Sequence, residues 1–276
     1  MRAFEELRKW PVRNAAAGVV AGGSVATAGD VDQVFRLASV TKPLVAYAVL
    51  VAVEEGALEL DQPAGPPGAT VRHLLAHTSG VAFDSREVVA EPGAKRIYSS
   101  AGFELLAELL EAESGIAFPE YLREAVFEPL GMFHSALDGP AGHGAASSVA
   151  DLTRFAAELL EPALISAETH AAAVGVQFPG LDGILPGYGR QRPNDWGLGF
   201  EIRGKKSPHW TGSTNSARSY GHFGQSGTFL WVDPEIRVAC VALSDENFGD
   251  WAREAWPAFS DAVIAEKSLA ANTGVQ

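Results

Sequence analysis

The chain has 276 residues, 47% of them hydrophobic, and sets 21 Lys and Arg against 34 Asp and Glu, a formal charge of −13. That much apolar material suffices for a substantial core in one unit with a large insertion. No basic cluster exceeds the Lys205-Lys206 pair, which argues against nucleic acid or an anionic membrane as partner and leaves a small molecule as the expected substrate. Oligomeric state is not legible at this level. The one cysteine, Cys240, excludes an internal disulfide, and its apolar surroundings, Val238 to Leu243, read as a buried strand rather than a nucleophile's setting.

The N-terminus, MRAFEELRKWPVRN, alternates charge and lacks the apolar core of a secretory leader, so a cytoplasmic location is expected. The longest apolar run, Pro43 to Val53, is too short to span a bilayer. Residues 2–9 read as a short helix stopped by Pro11. Segments 14–21 and 24–28, separated by Gly22-Gly23, read as a hairpin. A helix follows Ser39 and runs to about Glu55 before Gly56; from Leu44 to Val53 it is apolar on every side, which places it at the centre of the protein.

Residues 61–69 are a Pro- and Gly-rich loop. Residues 70–76 form a short helix capped by Thr70. Helices are predicted over 100–113, 119–127 and 148–160, the last with Ser148 three residues before Asp151, close to a capping box. From about residue 195 the pattern changes to strands at 196–202, 219–223, 228–232 and 236–243, joined by turns at 224–227 and 233–235 as an antiparallel meander. An amphipathic helix over 250–266 and a loose polar tail complete the chain. The expectation is an α+β fold, an antiparallel sheet flanked by helices. Residues 1–60 and 146–276 form the sheet domain, with an inserted, mainly helical region over 61–145.

Three constellations carry chemistry. Ser39-Val-Thr-Lys42 is the only S-x-x-K in the chain, and residues three apart share a helix face, so hydroxyl and amine can meet. Pro43 is tolerated only in a first turn, which puts both groups at the positive end of the helix dipole, where an alkoxide is favoured and an ammonium is not. The plainer alternative makes Ser39 a cap and Lys42 a surface residue. A lysine at the entry of an all-apolar helix, however, is costly without a purpose. Tyr98-Ser-Ser100 precedes the 100–113 helix; a serine there caps it, and the Tyr98 phenol is a candidate proton shuttle. His222-Phe-Gly224 lies on a strand where Arg218, Tyr220, His222 and Gly224 share one face, and a small residue at 224 lets a substrate approach the backbone. An ordinary strand histidine before a glycine turn is the plainer alternative. No His/Cys/Asp cluster has metal spacing, and no glycine-rich phosphate motif occurs, so neither metal nor nucleotide cofactor is implied.

Together, FRLASVTK (35–42), LLAHTSG (74–80), EPGAKRIYSSAGFELLAELLEAESG (91–115), EPLGM (128–132), SSVADLTRFAAELL (147–160) and GHFGQSGT (221–228) resemble, in order, landmarks of the serine β-lactamase/penicillin-binding-protein superfamily, closest to its class C, DD-peptidase and carboxylesterase branches. The resemblance covers about residues 30–265 and implies a β-lactamase/transpeptidase-like fold. It makes Ser39 the acylated nucleophile, Lys42 and Tyr98 its proton-transfer partners, Ser100, His222 and Gly224 substrate-side positions, and the N–H groups of Ser39 and Gln225 the oxyanion hole. It also implies that His77 is structural.

The departures are specific. Ser100 stands where β-lactamases commonly carry Asn, His222 where a lysine would bind a carboxylate, and Phe223 where Thr or Ser is usual. Arg218 is the one candidate to supply the missing cation. Stretches 81–91 and 133–147 are shorter than in typical relatives. Three readings follow, in order: a hydrolase of small, mainly neutral esters or amides; a β-lactamase or D-Ala-D-Ala carboxypeptidase; a binding or sensing homologue with a decayed site.

Overall fold

The computed structural model describes residues 1–273. The expected N-terminal helix is instead two 3-10 turns, Arg2–Glu5 and Leu7–Lys9. A segment this short cannot sustain an α-helix alone, and it is held by burying Ala3, Leu7 and Trp10 in the core. Strands β1 (Ala15–Ala21) and β2 (Ser24–Ala28) form the predicted hairpin. Gly22 and Gly23, at φ 55° and 71°, supply the left-handed turn it requires.

Strand β3 (Phe35–Arg36) leads through a 3-10 turn, Ala38–Val40, into helix α1 (Thr41–Glu54). Every residue of α1 from Thr41 to Ala52 is buried, as its all-round apolarity requires. Helix α2 (Val71–Leu75) starts at Thr70, whose hydroxyl accepts from the His73 N–H. Helix α3 (Ala101–Ser114) ends at Gly115 in the left-handed region. The single helix expected over 119–127 is split into α4 (Phe118–Leu122) and a π-helical turn, Arg123–Phe127.

Strand β5 (Ala145–Ser147) pairs with β3 on one side and β4 (Ala136–Leu137) on the other in a small three-stranded sheet too short to leave a periodic signature. Helix α5 (Val149–Leu160) is capped by Ser148, which accepts from the Asp151 N–H at 3.2 Å. Helix α6 (Ala167–Val174) and the hairpin β6 (Gly183–Leu185) and β7 (Gly189–Gln191) are additions to the predicted elements.

The strand expected over 196–202 survives only as β8 (Glu201–Ile202). Gly199, at φ 84°, turns the chain so close to α1 that a Cβ there would lie 2.2 Å from the Ala46 methyl. Strands β9 (Tyr220–Gly224), β10 (Thr228–Asp233) and β11 (Val238–Ser244) make the predicted meander. Helix α7 (Asp250–Thr273) runs past residue 266, where a loose tail was expected; 274–276 lie outside the described residues.

The main sheet is antiparallel in the order β2-β1-β11-β10-β9-β8. Alternation along β10 splits its side chains between two cores. Leu230 and Val232 face α1 and α5, whereas Phe229 and Trp231 face Trp256 and Phe259 of α7. Leu74, Phe103 and Leu122, from the stretch 61–145, share the first of these cores with Val241 of the sheet. Cys240 is buried on β11, and burial pushes its thiol pKa up, so it is an inert core residue. Among the described residues no helix is long and apolar enough to cross a membrane.

Candidate active site

Ser39 sits in the turn that enters α1, at the junction of helix and sheet. Its neighbour Ala38 has φ 45°, a left-handed conformation that costs a non-glycine residue about 1–3 kcal/mol and persists only where the surroundings enforce it. They do so. Thr228 Oγ1 donates to the Leu37 carbonyl at 2.9 Å, Ser226 Oγ to the Arg36 carbonyl at 2.6 Å, and Leu37 N–H to the Ala145 carbonyl at 2.9 Å. The absent side chain of Gly224 is part of the same clamp, since a Cβ there would lie 2.2 Å from the Leu37 oxygen. Position 224 thus permits a close approach of the segment that carries Ser39.

Tyr98, just before α3, donates its hydroxyl to Ser39 Oγ at 2.7 Å, across 59 residues of sequence. Lys42 Nζ lies 3.3 Å from Ser39 Oγ, 3.1 Å from Ser100 Oγ and 2.8 Å from the Gly142 carbonyl. It also stands 4.5 Å over the Tyr98 ring. Burial lowers the Lys42 pKa to about 7, against an opposing pull from Glu104. A neutral amine has two N–H groups for Gly142 and Ser100, leaving its lone pair for the Ser39 proton. Burial pushes the Tyr98 phenol the other way, upward, so it stays protonated.

Ser100 does not line the open cavity and does not cap α3; it points behind Ser39, at Lys42. Ser99 makes the helix-start bond instead, accepting from the Gly102 N–H at 2.9 Å. His77 is buried and does not line the cavity at Ser39. Its Nδ1 accepts from the Ser99 N–H at 3.1 Å and its ring packs edge-on to Trp196.

His222 Nδ1 faces the Phe223 carbonyl at 2.7 Å and so carries the ring proton, leaving Nε2 as an acceptor 3.3 Å from the Tyr98 hydroxyl. Burial, aided by the nearby Lys42, lowers its pKa to about 3, so the ring is neutral. Gln225 is pinned at both ends of its amides: its carbonyl accepts from the Phe248 N–H at 2.8 Å, and its side chain donates to the Phe248 carbonyl at 3.2 Å. Among the described residues neither the Ser39 nor the Gln225 N–H donates to a protein acceptor.

These groups open onto a cavity of about 300 Å³ floored by Ser39, Tyr98, His222 and Gln225. Phe83, Leu185, Pro186, Trp196 and Phe223 make its wall apolar, and no lysine or arginine lines it. Arg218, the candidate replacement cation, is elsewhere, in a separate cavity.

Sequence reasoning missed the Gly142 carbonyl, the apolar wall and Glu201. Glu201 borders the cavity and is buried with its charge matched. It is ion-paired to Lys206, accepts from Trp210 Nε1 at 2.8 Å and lies 2.9 Å from His209 Nε2. Burial alone would raise its pKa, but His209 and Lys206 hold it well below the usual carboxylate range. Only an acidic residue inside an apolar strand pattern hinted at such a cluster.

A buried helix that starts on a Ser-x-x-Lys turn beside an antiparallel sheet is the architecture of serine hydrolases with the β-lactamase fold. The chain belongs to the β-lactamase family, whose model matches residues 3–263. The solved structure of a β-lactamase from Mycobacterium bovis is 62% identical to it, over 96% of this chain and 99% of its own, with a TM-score of 0.95. Penicillin-binding protein 4* of Bacillus subtilis is 29% identical over a 134-residue alignment that covers 37% of this chain and 30% of that protein. Esterase EstB of Burkholderia gladioli is 41% identical over an 85-residue alignment that covers 26% of this chain and 20% of its own length. The chain thus matches less than a third of either curated relative.

Proposed function

We propose that the protein hydrolyses neutral carboxylic esters, and related amides, through an acyl-enzyme on Ser39. The observation that carries this reading is the convergence of Tyr98, at 2.7 Å, and Lys42, at 3.3 Å, on one Ser39 oxygen in a cavity lined by no cation. Neutral Lys42 takes the Ser39 proton as Oγ bonds to the substrate carbonyl carbon. The N–H groups of Ser39 and Gln225 receive the oxyanion, a pair worth about 3 kcal/mol or more to the transition state. The alcohol leaves with a proton passed through Lys42 and Tyr98, and water then releases the acid by the same steps in reverse. The kinship with esterase EstB supports this assignment.

A second reading, β-lactam hydrolysis or D-Ala-D-Ala carboxypeptidase action, is favoured by the 62% identity to a β-lactamase. It is opposed by neutral His222 where the substrate carboxylate would need a cation. A decayed, binding-only site is opposed by the intact convergence on Ser39.

The test combines intact mass after fluorophosphonate treatment with rates on p-nitrophenyl butyrate and ampicillin, in the native protein and Ser39→Ala. One adduct and ester turnover, both lost in Ser39→Ala, are expected, with kcat/KM for ampicillin about a hundredfold lower. Faster turnover of ampicillin than of the ester would install the second reading. No adduct at all would install binding without catalysis.

A further inference from the structure

The geometry points to a second binding site, at the start of β9, that takes a medium-chain aliphatic carboxylate. Residue 218, singled out by the strand pattern as a candidate cation, lies in a cavity of about 700 Å³, more than twice the volume of the one at Ser39. Its floor is apolar and comes from five elements: Leu159 of α5, Val174 of α6, Ile202 of β8, Tyr220 of β9 and Val232 of β10. Such a volume suits a small ligand.

The rim selects the charge. Lys205, Arg218 and Arg237 border the cavity, whose lining includes a single carboxylate, Asp195. Arg237 is paired with Glu161, whereas Lys205 and Arg218 make no ion pair among the described residues. On a chain of net charge −13, three cations gathered over an apolar floor run against the overall field, which repels polyanions. One negative charge on an apolar tail satisfies both parts of the site: the tail covers the floor, and the carboxylate meets the two free cations. Tyr220 and His170, 3.4 Å apart, are the other polar groups in the wall. The Tyr220 hydroxyl donates to the Leu159 carbonyl at 2.8 Å, so it closes the floor rather than offering a free donor.

The site is independent of the chemistry at Ser39, and its test excludes turnover. Decanoate is titrated calorimetrically into the Ser39→Ala protein, with decanol as the uncharged control. One decanoate per chain is expected, with affinity at least about tenfold above that of decanol and weakened by salt, because both free cations are exposed. The double change Lys205→Glu with Arg218→Glu, both at the surface, should lower decanoate affinity about tenfold or more. Ala171→Trp, which fills the cavity from its rim, should do the same while leaving the charges in place. Phe83→Glu, in the wall of the other cavity, should leave decanoate affinity unchanged. Decanol binding as tightly as decanoate, or unchanged affinity in the charge-reversed and filled variants, overturns the proposal. Loss of binding in Phe83→Glu alone moves the ligand to the catalytic cavity and overturns it equally.

Discussion

His222 presents its unprotonated Nε2 to the Tyr98 hydroxyl at 3.3 Å, while its Nδ1 is held by the Phe223 carbonyl at 2.7 Å. The fixed tautomer makes His222 Nε2 an acceptor that competes with Ser39 Oγ, the nearer of the two at 2.7 Å, for the one proton of the Tyr98 hydroxyl. Its effect on the reaction therefore runs through the phenol, and not through an ion pair with substrate.

Replacing His222 with Phe should thus lower kcat about tenfold with little change in KM for a neutral ester. Steady-state kinetics on p-nitrophenyl butyrate read the split. A rise in KM at constant kcat would instead place His222 in contact with substrate.

Lys42 should set the acidic limb of the pH profile. Its amine acts unprotonated and its pKa is about 7, so kcat/KM should rise about tenfold per pH unit below that value and level off above it. A limb centred near 10 would mean an ordinary, solvated lysine. Lys42→Met should cost about a thousandfold or more. The stability sign follows. Depression from 10.5 means the cost of burying this group is absent above pH 10.5 and complete below about pH 7, so this residue's contribution to stability rises over that interval.

Gly224→Ala should damage catalysis more than its size suggests. The new Cβ would meet the Leu37 carbonyl at 2.2 Å and Thr228 Oγ1 at 2.6 Å, the two groups that clamp the Ser39 segment. A loss of about 1–3 kcal/mol in urea unfolding is expected, with kcat reduced about a hundredfold. Full activity at reduced stability would separate the clamp from the chemistry.

Glu201→Gln should destabilise the fold by about 3–5 kcal/mol, because it leaves Lys206 buried without its counter-charge. Equilibrium denaturation measures this, and an unchanged midpoint would show that Lys206 finds compensation in the Asp195 and Ile202 carbonyls it already contacts.

Much of this protein is written locally. The all-apolar stretch after Ser39 dictates a buried α1, Pro43 fixes where that helix begins, and the three-residue spacing brings Lys42 to Ser39. Gly22-Gly23 makes the first hairpin, Thr70 and Ser148 cap their helices, and period-two patterning yields the β9–β11 meander. Each depends on forces acting within a few residues, so each leaves a periodic or capping signal. The two-residue strands β3 and β4 leave none, because they form only where a neighbour supplies their partners.

What remained for the tertiary structure is every relation that crosses the chain. The Gly142 carbonyl reaches Lys42 over 100 residues, and Tyr98 reaches Ser39 over 59. Gly224 leaves room for the Leu37 carbonyl, and Arg218 borders a cavity away from Ser39. The lowered pKa of Lys42 was likewise not in its spacing from Ser39. It comes from complete burial, a property of the packed whole, because desolvation is set by all the elements that close around a group and by no one of them.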